Sequence, residues 1–392
     1  MRIVFTGGGT AGHAMVNTVL IPYLQKKECK ITYIGSKNGM EKTMISKLDN
    51  VHYYEISTGK LRRYLSFKNF TDLFMIGKGI FDAWKILKKE RPQLIYSSGG
   101  YVSVPVVWAS YLLKIPVILR ETDYSTGLAN KLCIPFAKEL YVTFPDSQKT
   151  IKNITCLNDG MIIRPQLFDT DDFSTTYLDL RKPLCLVMGG SGGSATINRM
   201  IWENKDIITK HYSVIHICGK GKYNSEIPDT DSYQQLEFVQ DMNMFYQMAD
   251  VVVTRSGSNA IIEGLLLGKR MICIPLSASA SRGEQMLNAK FAKKNGTAVI
   301  IDDKECNISV FLEALYTVLR LPENHSYKIT KKKLLEQIQH HVNGIYQVAF
   351  EQLQHDIEKH LKCGKKINLQ DFSECEMGIL DDRKRKILLR CP

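Results

Sequence analysis

The chain has 392 residues, of which 44% are hydrophobic, and a formal net charge of +12 at pH 7. This length can form two hydrophobic cores, and since no apolar run reaches the roughly 18–20 residues that span a bilayer, we expect a soluble protein. The ten cysteines lack C-x-x-C or Cys/His spacing, which argues against a zinc site or a disulfide framework and favours reduced thiols.

The predicted elements alternate between strand and helix along the whole chain. The N-terminus enters an apolar run directly, so no secretory signal is expected. Strands are predicted in the first half at residues 2–6, 30–35, 52–56, 93–97, 116–120 and 139–143. Strands are predicted in the second half at residues 184–188, 213–218, 236–239, 251–254, 271–275 and 298–301. This repeated rhythm predicts an α/β protein with two Rossmann-like, doubly wound parallel sheets.

The same pattern predicts the domain organisation. A polar stretch over residues 153–181 has neither helical nor strand period and is typical of a linker. We predict an N-terminal domain, a C-terminal domain, a terminal amphipathic helix and a tail, at residues 1–160, 161–340, 341–361 and 362–392. The tail carries a basic cluster, Arg383–Lys386, and its sequence predicts neither a fold nor a role.

The first predicted strand runs directly into a glycine-rich turn, Gly7–His13. Glycines at the carboxyl end of a strand let backbone amides approach an anionic or sugar ligand, because no Cβ atom stands in the way. The turn fits G-x-G-x-x-G, but the next predicted strand ends at Gly35 without the acidic residue that holds a dinucleotide ribose. A different ligand is therefore predicted. His13 is a candidate general base, and a capping or structural histidine is the alternative.

Much of the positive charge lies between residues 60 and 91, a segment with nine Lys and Arg but only three Asp and Glu. These charges are interleaved with aromatic and aliphatic residues, which predicts a surface for anionic lipid headgroups. Nucleic acid is disfavoured because the chain has no helix-turn-helix, RNP or zinc-finger signature. The alternative is an ordinary amphipathic helix with its apolar face in the core and a solvated basic face.

The second half repeats the strand, glycine loop and helix order at Gly189–Ser194. Two such strand–loop–helix units, one in each half, predict an enzyme that holds a donor in one half and an acceptor in the other across a shared cleft. Further along, Glu263 follows the turn Arg255–Asn259, and its carboxylate could accept two hydrogen bonds from a ribose diol. The alternative for Glu263 is an acid that favours the positive end of a helix dipole. Gln285 and Asn288, three apart on one helical face, suit sugar hydroxyls, and ordinary amides on a solvent face are the alternative.

These motifs, in this order and spacing, resemble the MurG family. The segments that carry the resemblance are Gly7–His13, Gly99–Pro105, Arg120–Asp123, Gly189–Ser191, Arg255–Ser258 with Glu263, and Gln285 with Asn288. The resemblance spans about residues 1–360, and Gly59–Tyr64 and Ser281–Gln285 look most like the form in low-GC Gram-positive bacteria. It implies a GT-B fold and transfer of N-acetylglucosamine from UDP-N-acetylglucosamine to lipid I, which gives lipid II for bacterial peptidoglycan.

The resemblance also implies a role for each matched residue. His13 would be the catalytic base. The residues that would bind UDP-N-acetylglucosamine are Thr10, Gly12, Arg164, Gly189, Gly190, Ser191, Val239, Ser256, Glu263, Gln285 and Asn288. The residues on the acceptor side would be Gly9, Tyr101, Glu121 and Asp123. The family inverts the anomeric centre without an obligatory metal or cofactor, so arginine and backbone amides would stabilise the leaving group.

The chain departs from the family pattern at three places, one of which is the basic tail. The chain reads Ala14–Asn17 where the family usually has a proline, and Arg120 stands where many members have histidine. Arg120 is expected to place a fixed positive charge at the acceptor cleft. The sequence leaves open another lipid-linked or small-molecule acceptor, an epimerase acting on UDP-N-acetylglucosamine, and a non-enzymatic membrane scaffold. The expected partners are UDP-N-acetylglucosamine, lipid I and the anionic cytoplasmic face of the cell membrane, to which the protein would bind peripherally.

Overall fold

A computed structural model describes residues 1–59, 68–169, 178–179, 181–239, 241–277, 283–321 and 326–362. Several predicted features lie outside these residues. They are the basic residues between 60 and 67, linker residues 170–177, Ser281 and Arg282, and the tail with Arg383–Lys386. The chain forms two compact units. One comprises Met1–Thr122, Thr126–Gly160 and the chain from Gln337 onward, and the other comprises Asp123–Ser125 and Met161–Glu336.

The first unit is built on a parallel sheet of seven strands. They are β1 (Arg2–Thr6), β2 (Lys30–Ser36), β3 (Val51–Ile56), β4 (Leu94–Ser97), β5 (Val117–Glu121), β6 (Glu139–Val142) and β7 (Thr155–Leu157). Their order across the sheet is β3-β2-β1-β4-β5-β6-β7. The order reverses between β1 and β4, and open parallel sheets bind ligands outside the strand ends at such a switch point. The first glycine loop leaves β1 at this point.

Parallel sheets are normally covered by helices on both faces, and the helices of the first unit alternate with its strands along the chain. They are α1 (Ala11–Gln25), α2 (Met40–Ile45), α3 (Lys68–Glu90), α4 (Ser103–Leu112) and α5 (Leu128–Cys133). The core between sheet and helices contains Val4, Ile95, Leu119, Val107 and Leu87, all buried.

The second unit repeats the design with a six-stranded parallel sheet of order β10-β9-β8-β11-β12-β13. Its strands are β8 (Leu184–Met188), β9 (Ser213–Ile217), β10 (Tyr233–Leu236), β11 (Val251–Thr254), β12 (Arg270–Cys273) and β13 (Ala298–Ile300). Its helices are α6 (Ala195–Glu203), α7 (Lys205–Ile208), α8 (Asn243–Met248), α9 (Ser258–Leu267), α10 (Glu284–Lys294) and α11 (Ile308–Leu319). The switch point lies between β8 and β11, where the second glycine loop begins.

A long helix, α12 (Lys331–Lys362), follows the second unit and belongs to the first unit from Gln337 onward. It begins earlier than the predicted residue 341. Its buried face includes Ile338, Val342 and Ala349, spaced as one side of a helix requires.

Two strands differ from their predicted positions. β10 occupies Tyr233–Leu236 rather than 236–239, and β7 lies inside the predicted linker. In the described part of the chain, the cysteines with an assigned state are free thiols. No helix among the described residues combines the length and the apolar composition needed to cross a membrane.

Candidate active site

Two glycine segments of the first unit interlock at the switch point between β1 and β4. The Gly8 N–H donates to the Gly99 carbonyl oxygen at 3.1 Å. A Cβ on Gly100 would lie 1.9 Å from the Gly8 carbonyl oxygen, and Gly100 has φ +83°. Only glycine allows both the positive φ and this approach of one backbone to the other. The two strand ends therefore form one rigid backbone platform.

A buried carboxylate that the sequence analysis missed supports this platform. Glu41, in the first turn of α2, is fully buried. Its Oε2 accepts from the Gly9 N–H at 3.2 Å, and its Oε1 accepts from the Ser36 N–H at 3.1 Å and the Ser36 hydroxyl at 2.5 Å. The Gly9 amide, a candidate on the acceptor side, thus donates within the protein. From sequence, Glu41 cannot be distinguished from an acid that only favours a helix N-terminus.

His13 lies in the first turn of α1 and is half-buried. Its Nδ1 is 2.6 Å from the Thr10 hydroxyl, an interaction that fixes the ring orientation. A Cβ on Gly99 would lie 3.3 Å from His13 Cδ2 and 3.3 Å from the Asn130 side chain. His13 and Asn130 therefore flank Gly99. Gly12 precedes His13 in the same turn.

Glu121 and Tyr101 complete this group of predicted residues. Glu121, at the end of β5, accepts through Oε2 from Asn130 Nδ2 at 2.9 Å and from the Gly127 N–H at 2.8 Å. The ring of Tyr101 lies over Gly9, where an added Cβ would be 2.5 Å from a ring carbon. The first unit thus brings together the ends of β1, β4 and β5 and the predicted residues on them.

The expectation that Arg120 places its charge at the acceptor site is wrong. Its side chain is 1% exposed, with Nη1 3.4 Å from Asp159 Oδ1 and Nη2 donating to the Gly160 carbonyl at 3.1 Å. Successive side chains on a strand point to opposite faces, so Arg120 points away from the face that Glu121 occupies. Asp159 also contacts Nδ1 of His341 on α12, and His341 Nε2 is 2.8 Å from the Tyr96 hydroxyl. Burial, followed by the Arg120 charge, lowers the pKa of His341 well below its usual value.

In the second unit, the glycine loop presents an open helix N-terminus. Gly190 and Ser191 are exposed, and the Gly193 N–H donates to the Gly190 carbonyl at 2.9 Å. The Ser194 hydroxyl caps α6 by accepting from the Ile197 N–H at 3.2 Å. Exposed loop amides at the positive end of a helix suit an anion. Gly189 starts this loop directly after β8.

Glu263 and Arg164, which the sequence assigns to the donor, lie together. Arg164 Nη2 is 3.7 Å from Glu263 Oε1, and the Tyr246 hydroxyl donates to Glu263 Oε2 at 2.8 Å. Glu263 is buried and lies beyond the first turn of α9, so the dipole alternative does not explain it. Burial raises the pKa of its carboxyl, while Arg164 and Tyr246 oppose that shift. Tyr246 was missed because its position on the short helix α8 gives no pattern.

Asn288 is fully buried and its amide is engaged inside the second unit. Its Nδ2 donates to Asp123 Oδ1 and to the Ser256 carbonyl, each at 3.2 Å, and its Oδ1 accepts from the Tyr124 N–H at 3.0 Å. Asp123, implied to be on the acceptor side, therefore lies with two residues implied to bind the donor. Ser256 has φ +65°, a conformation that non-glycine residues rarely adopt.

The remaining predicted donor residues lie near other strand ends of the same sheet. Gln285 Oε1 accepts from the Leu276 N–H at 2.9 Å, which ties α10 to the segment after β12. Val239 is half-buried and follows the exposed Phe238 beyond β10. In the described part of the chain, no three His, Cys, Asp or Glu side chains are grouped as a metal site requires.

Comparisons with known proteins identify both units. Residues 3–142 match the glycosyltransferase family 28 N-terminal domain, and residues 184–345 match the glycosyltransferase family 28 C-terminal domain. The chain is 43% identical over 318 residues to a Clostridium tetani protein, covering 80% of this chain and 88% of the relative. It is 46% identical over 308 residues to an Oceanobacillus iheyensis protein, covering 78% and 86%. Both relatives are named UDP-N-acetylglucosamine–N-acetylmuramyl-(pentapeptide) pyrophosphoryl-undecaprenol N-acetylglucosamine transferase.

Solved structures agree at the level of the fold. Acinetobacter baumannii MurG superposes with a TM-score of 0.67 at 21% identity, covering 88% of this chain and 99% of that one. A UDP-GlcNAc 2-epimerase from Neisseria meningitidis gives a TM-score of 0.62 at 13% identity, covering 88% and 100%. Transferases and epimerases share this architecture, so the fold does not choose between them. The two family models and the two curated relatives are those of glycosyltransferases. The chain therefore belongs to the MurG family of glycosyltransferase family 28, with its GT-B fold.

Proposed function

We propose that this protein transfers N-acetylglucosamine from UDP-N-acetylglucosamine to undecaprenyl-pyrophosphoryl-N-acetylmuramoyl-pentapeptide, lipid I, and so forms lipid II. The observation that carries the proposal is a glycine loop at the switch point of each parallel sheet, one beside a histidine and one at an open helix N-terminus. The names of the curated relatives supply the donor and the acceptor.

The second unit would hold the donor. The loop amides at Gly190 and Ser191 and the N-terminus of α6 suit the diphosphate, and the Arg164 guanidinium adds a positive charge. Glu263 would accept from the ribose hydroxyls through Oε1, the carboxylate oxygen that pairs with Arg164 at 3.7 Å. The backbone near Val239 would contact uracil.

The first unit would supply the base. With Nδ1 held by the Thr10 hydroxyl, His13 would take up the proton at Nε2. The acceptor hydroxyl would then attack the anomeric carbon as its proton moves to His13. The bond to the UDP oxygen breaks with inversion. The charge that develops on UDP would be stabilised by Arg164 and the loop amides, so we propose a reaction that needs no bound metal or cofactor.

Exposed apolar side chains on the packed helices α3 and α4 support a peripheral site on the cytoplasmic membrane face. Phe74 is 74% exposed and Leu112 is 64% exposed. Lys85 Nζ lies 4.3 Å from the centre of the exposed Phe81 ring. Meanwhile Leu87 on α3 is buried. A core-facing amphipathic helix with a purely polar outer face does not account for these aromatics, whereas anionic lipid binds both rings and lysines.

The test is incubation with radiolabelled UDP-N-acetylglucosamine and a short-chain lipid I analogue, with and without a chelator. We expect UDP and labelled disaccharide lipid in equal amounts, unaffected by the chelator. Release of UDP and a 2-epimerised sugar without an acceptor would contradict transfer and favour the epimerase. Label on a different lipid only would change the acceptor, and loss of activity with the chelator would refute the metal-free reaction.

A further inference from the structure

A buried line of hydrogen bonds runs beneath the second glycine loop. His216 on β9 is fully buried, and its Nδ1 is 3.0 Å from the Tyr233 hydroxyl. On the other side of the ring, Nε2 is 3.1 Å from Oδ1 of Asn198 on α6. Asn198 Nδ2 donates in turn to the Cys218 carbonyl at 2.8 Å. None of these side chains is among those assigned to the substrates above.

The direction of each bond follows from the chemistry of the groups. Because Asn198 uses its amide N–H groups for a carbonyl, its oxygen faces His216 and can only accept. His216 Nε2 must therefore carry the ring proton. Burial lowers the pKa of His216 to about 4, so the ring is neutral near pH 7. Nδ1 then has no proton and accepts from the Tyr233 hydroxyl.

The far end of this line touches the loop. A Cβ on Gly193 would lie 1.9 Å from the Cys218 carbonyl oxygen, and a Cβ on Gly219 would lie 2.5 Å from Gly193 Cα. The two backbones are thus in direct contact, and the Cys218 peptide fixes where Gly193 lies. Gly193 closes the turn through its bond to the Gly190 carbonyl. A shift of Cys218 would therefore move the loop amides that are proposed to bind the diphosphate.

We propose that His216 is a positioning residue for the diphosphate-binding loop. Its Nε2–H orients Asn198, Asn198 holds the Cys218 carbonyl, and the Cys218–Gly219 backbone holds Gly193. This inference rests on the proposed function, because it takes the loop to bind the UDP diphosphate.

Two replacements of His216 by amide side chains distinguish an effect on the position of the loop from an effect on the overall stability of the protein. His216→Gln can place an amide N–H near the former Nε2 and so keep the bond to Asn198. His216→Asn reaches only the former Nδ1 and leaves the Asn198 oxygen without a donor. Tyr233→Phe is the matched control, since it removes a buried hydrogen bond from the same line without touching the Asn198 side.

The measurement is the Kd for UDP by calorimetry, with Tm recorded for every variant. We expect Kd within about threefold of the parent for His216→Gln and Tyr233→Phe, and a rise on the order of tenfold for His216→Asn, because an unpaired buried acceptor lets Asn198 turn. A parent-like Kd for His216→Asn, or Kd rising in step with the loss of Tm across all three, would overturn the inference. If His216→Asn does not fold, Asn198→Ala carries the same expectation and the same refutation. A parent that binds no UDP would overturn the proposed function as well.

Discussion

The buried ion pair between Arg120 and Asp159 gives a sharp prediction for stability. Their side chains are 1% and 4% exposed. Asp159→Asn keeps the shape of the side chain but removes its charge, and so leaves the guanidinium buried without a counter-ion. Losing one partner of such a pair costs about 3–5 kcal/mol. We expect the free energy of unfolding to fall by about 3 kcal/mol, the lower end of this range. The 3.4 Å contact with Asp159 is long, and Arg120 keeps its hydrogen bond to the Gly160 carbonyl.

Two further variants test the cause of this loss. Arg120→Met in the Asp159→Asn background removes the uncompensated charge, so the double variant should be more stable than the single one. Glu351→Gln breaks a pair whose members, Lys138 and Glu351, are 45% and 50% exposed. Exposed pairs contribute about 0–1 kcal/mol, and this control should change stability no more than that.

The assay is urea unfolding followed by tryptophan fluorescence in a Trp202→Phe background. The remaining tryptophans, Trp84 and Trp108, both belong to the first unit, so the signal reports on that unit alone. Equal m values would show that only stability has changed. A loss below about 1 kcal/mol for Asp159→Asn, or a double variant less stable than the single one, would refute the account of a buried counter-ion.

Three other predictions concern the candidate base, the lipid contact on α3 and the protonation of His216. Thr10→Val removes a partner of the candidate base, and turnover should fall on the order of tenfold while the Kd for UDP, which lacks the transferred sugar that Thr10 is implied to meet, stays unchanged; unchanged turnover would argue against a role for this contact. The double variant Phe74→Ser/Phe81→Ser should sediment less with anionic vesicles than the parent does, at unchanged Tm. Tyr316→Ser, which changes an exposed residue of the second unit, should sediment like the parent. Equal sedimentation of the double variant and the parent would exclude α3 as the lipid contact. Because the folded-state pKa of His216 is about 4, below the usual 6.5, the unfolded chain takes up the proton first as pH falls. The stability from neutral His216 should be complete above pH 6.5 and lost between 6.5 and about 4, and Tm in His216→Gln should depend less on pH over that range.

The sequence predicted the two parallel sheets well because their strands are continuous apolar runs next to glycine turns. β1 and β8 match their predicted limits for that reason. β7 was missed because Thr155–Leu157 is short and lies at the sheet edge, where few apolar residues are needed. β10 was placed too late because its polar glutamines hide the period, although Tyr233 and Gln235 are buried.

The side-chain contacts were harder to predict than the loops. A strand pattern does not say which partner a buried charge finds, so the Arg120 charge was wrongly expected at the acceptor cleft. Glu41 and Tyr246 come from other elements and meet their partners only after folding. His13 and Glu263 could be selected because each follows a strand and a turn, where parallel sheets place ligands. Their roles in the reaction remain predictions.

The division of labour between His13 as base and Glu263 as donor ligand is tested by comparing UDP binding with turnover in two variants, His13→Ala and Glu263→Gln. We predict that His13→Ala binds UDP like the parent while turnover falls on the order of 10²–10⁴-fold. Glu263→Gln should weaken UDP binding on the order of 10–100-fold, since charge-assisted bonds to the ribose are lost while Tyr246 keeps an acceptor. Parent-like turnover in His13→Ala, or parent-like UDP affinity in Glu263→Gln, would contradict the assignment of the base to the first unit and the donor to the second.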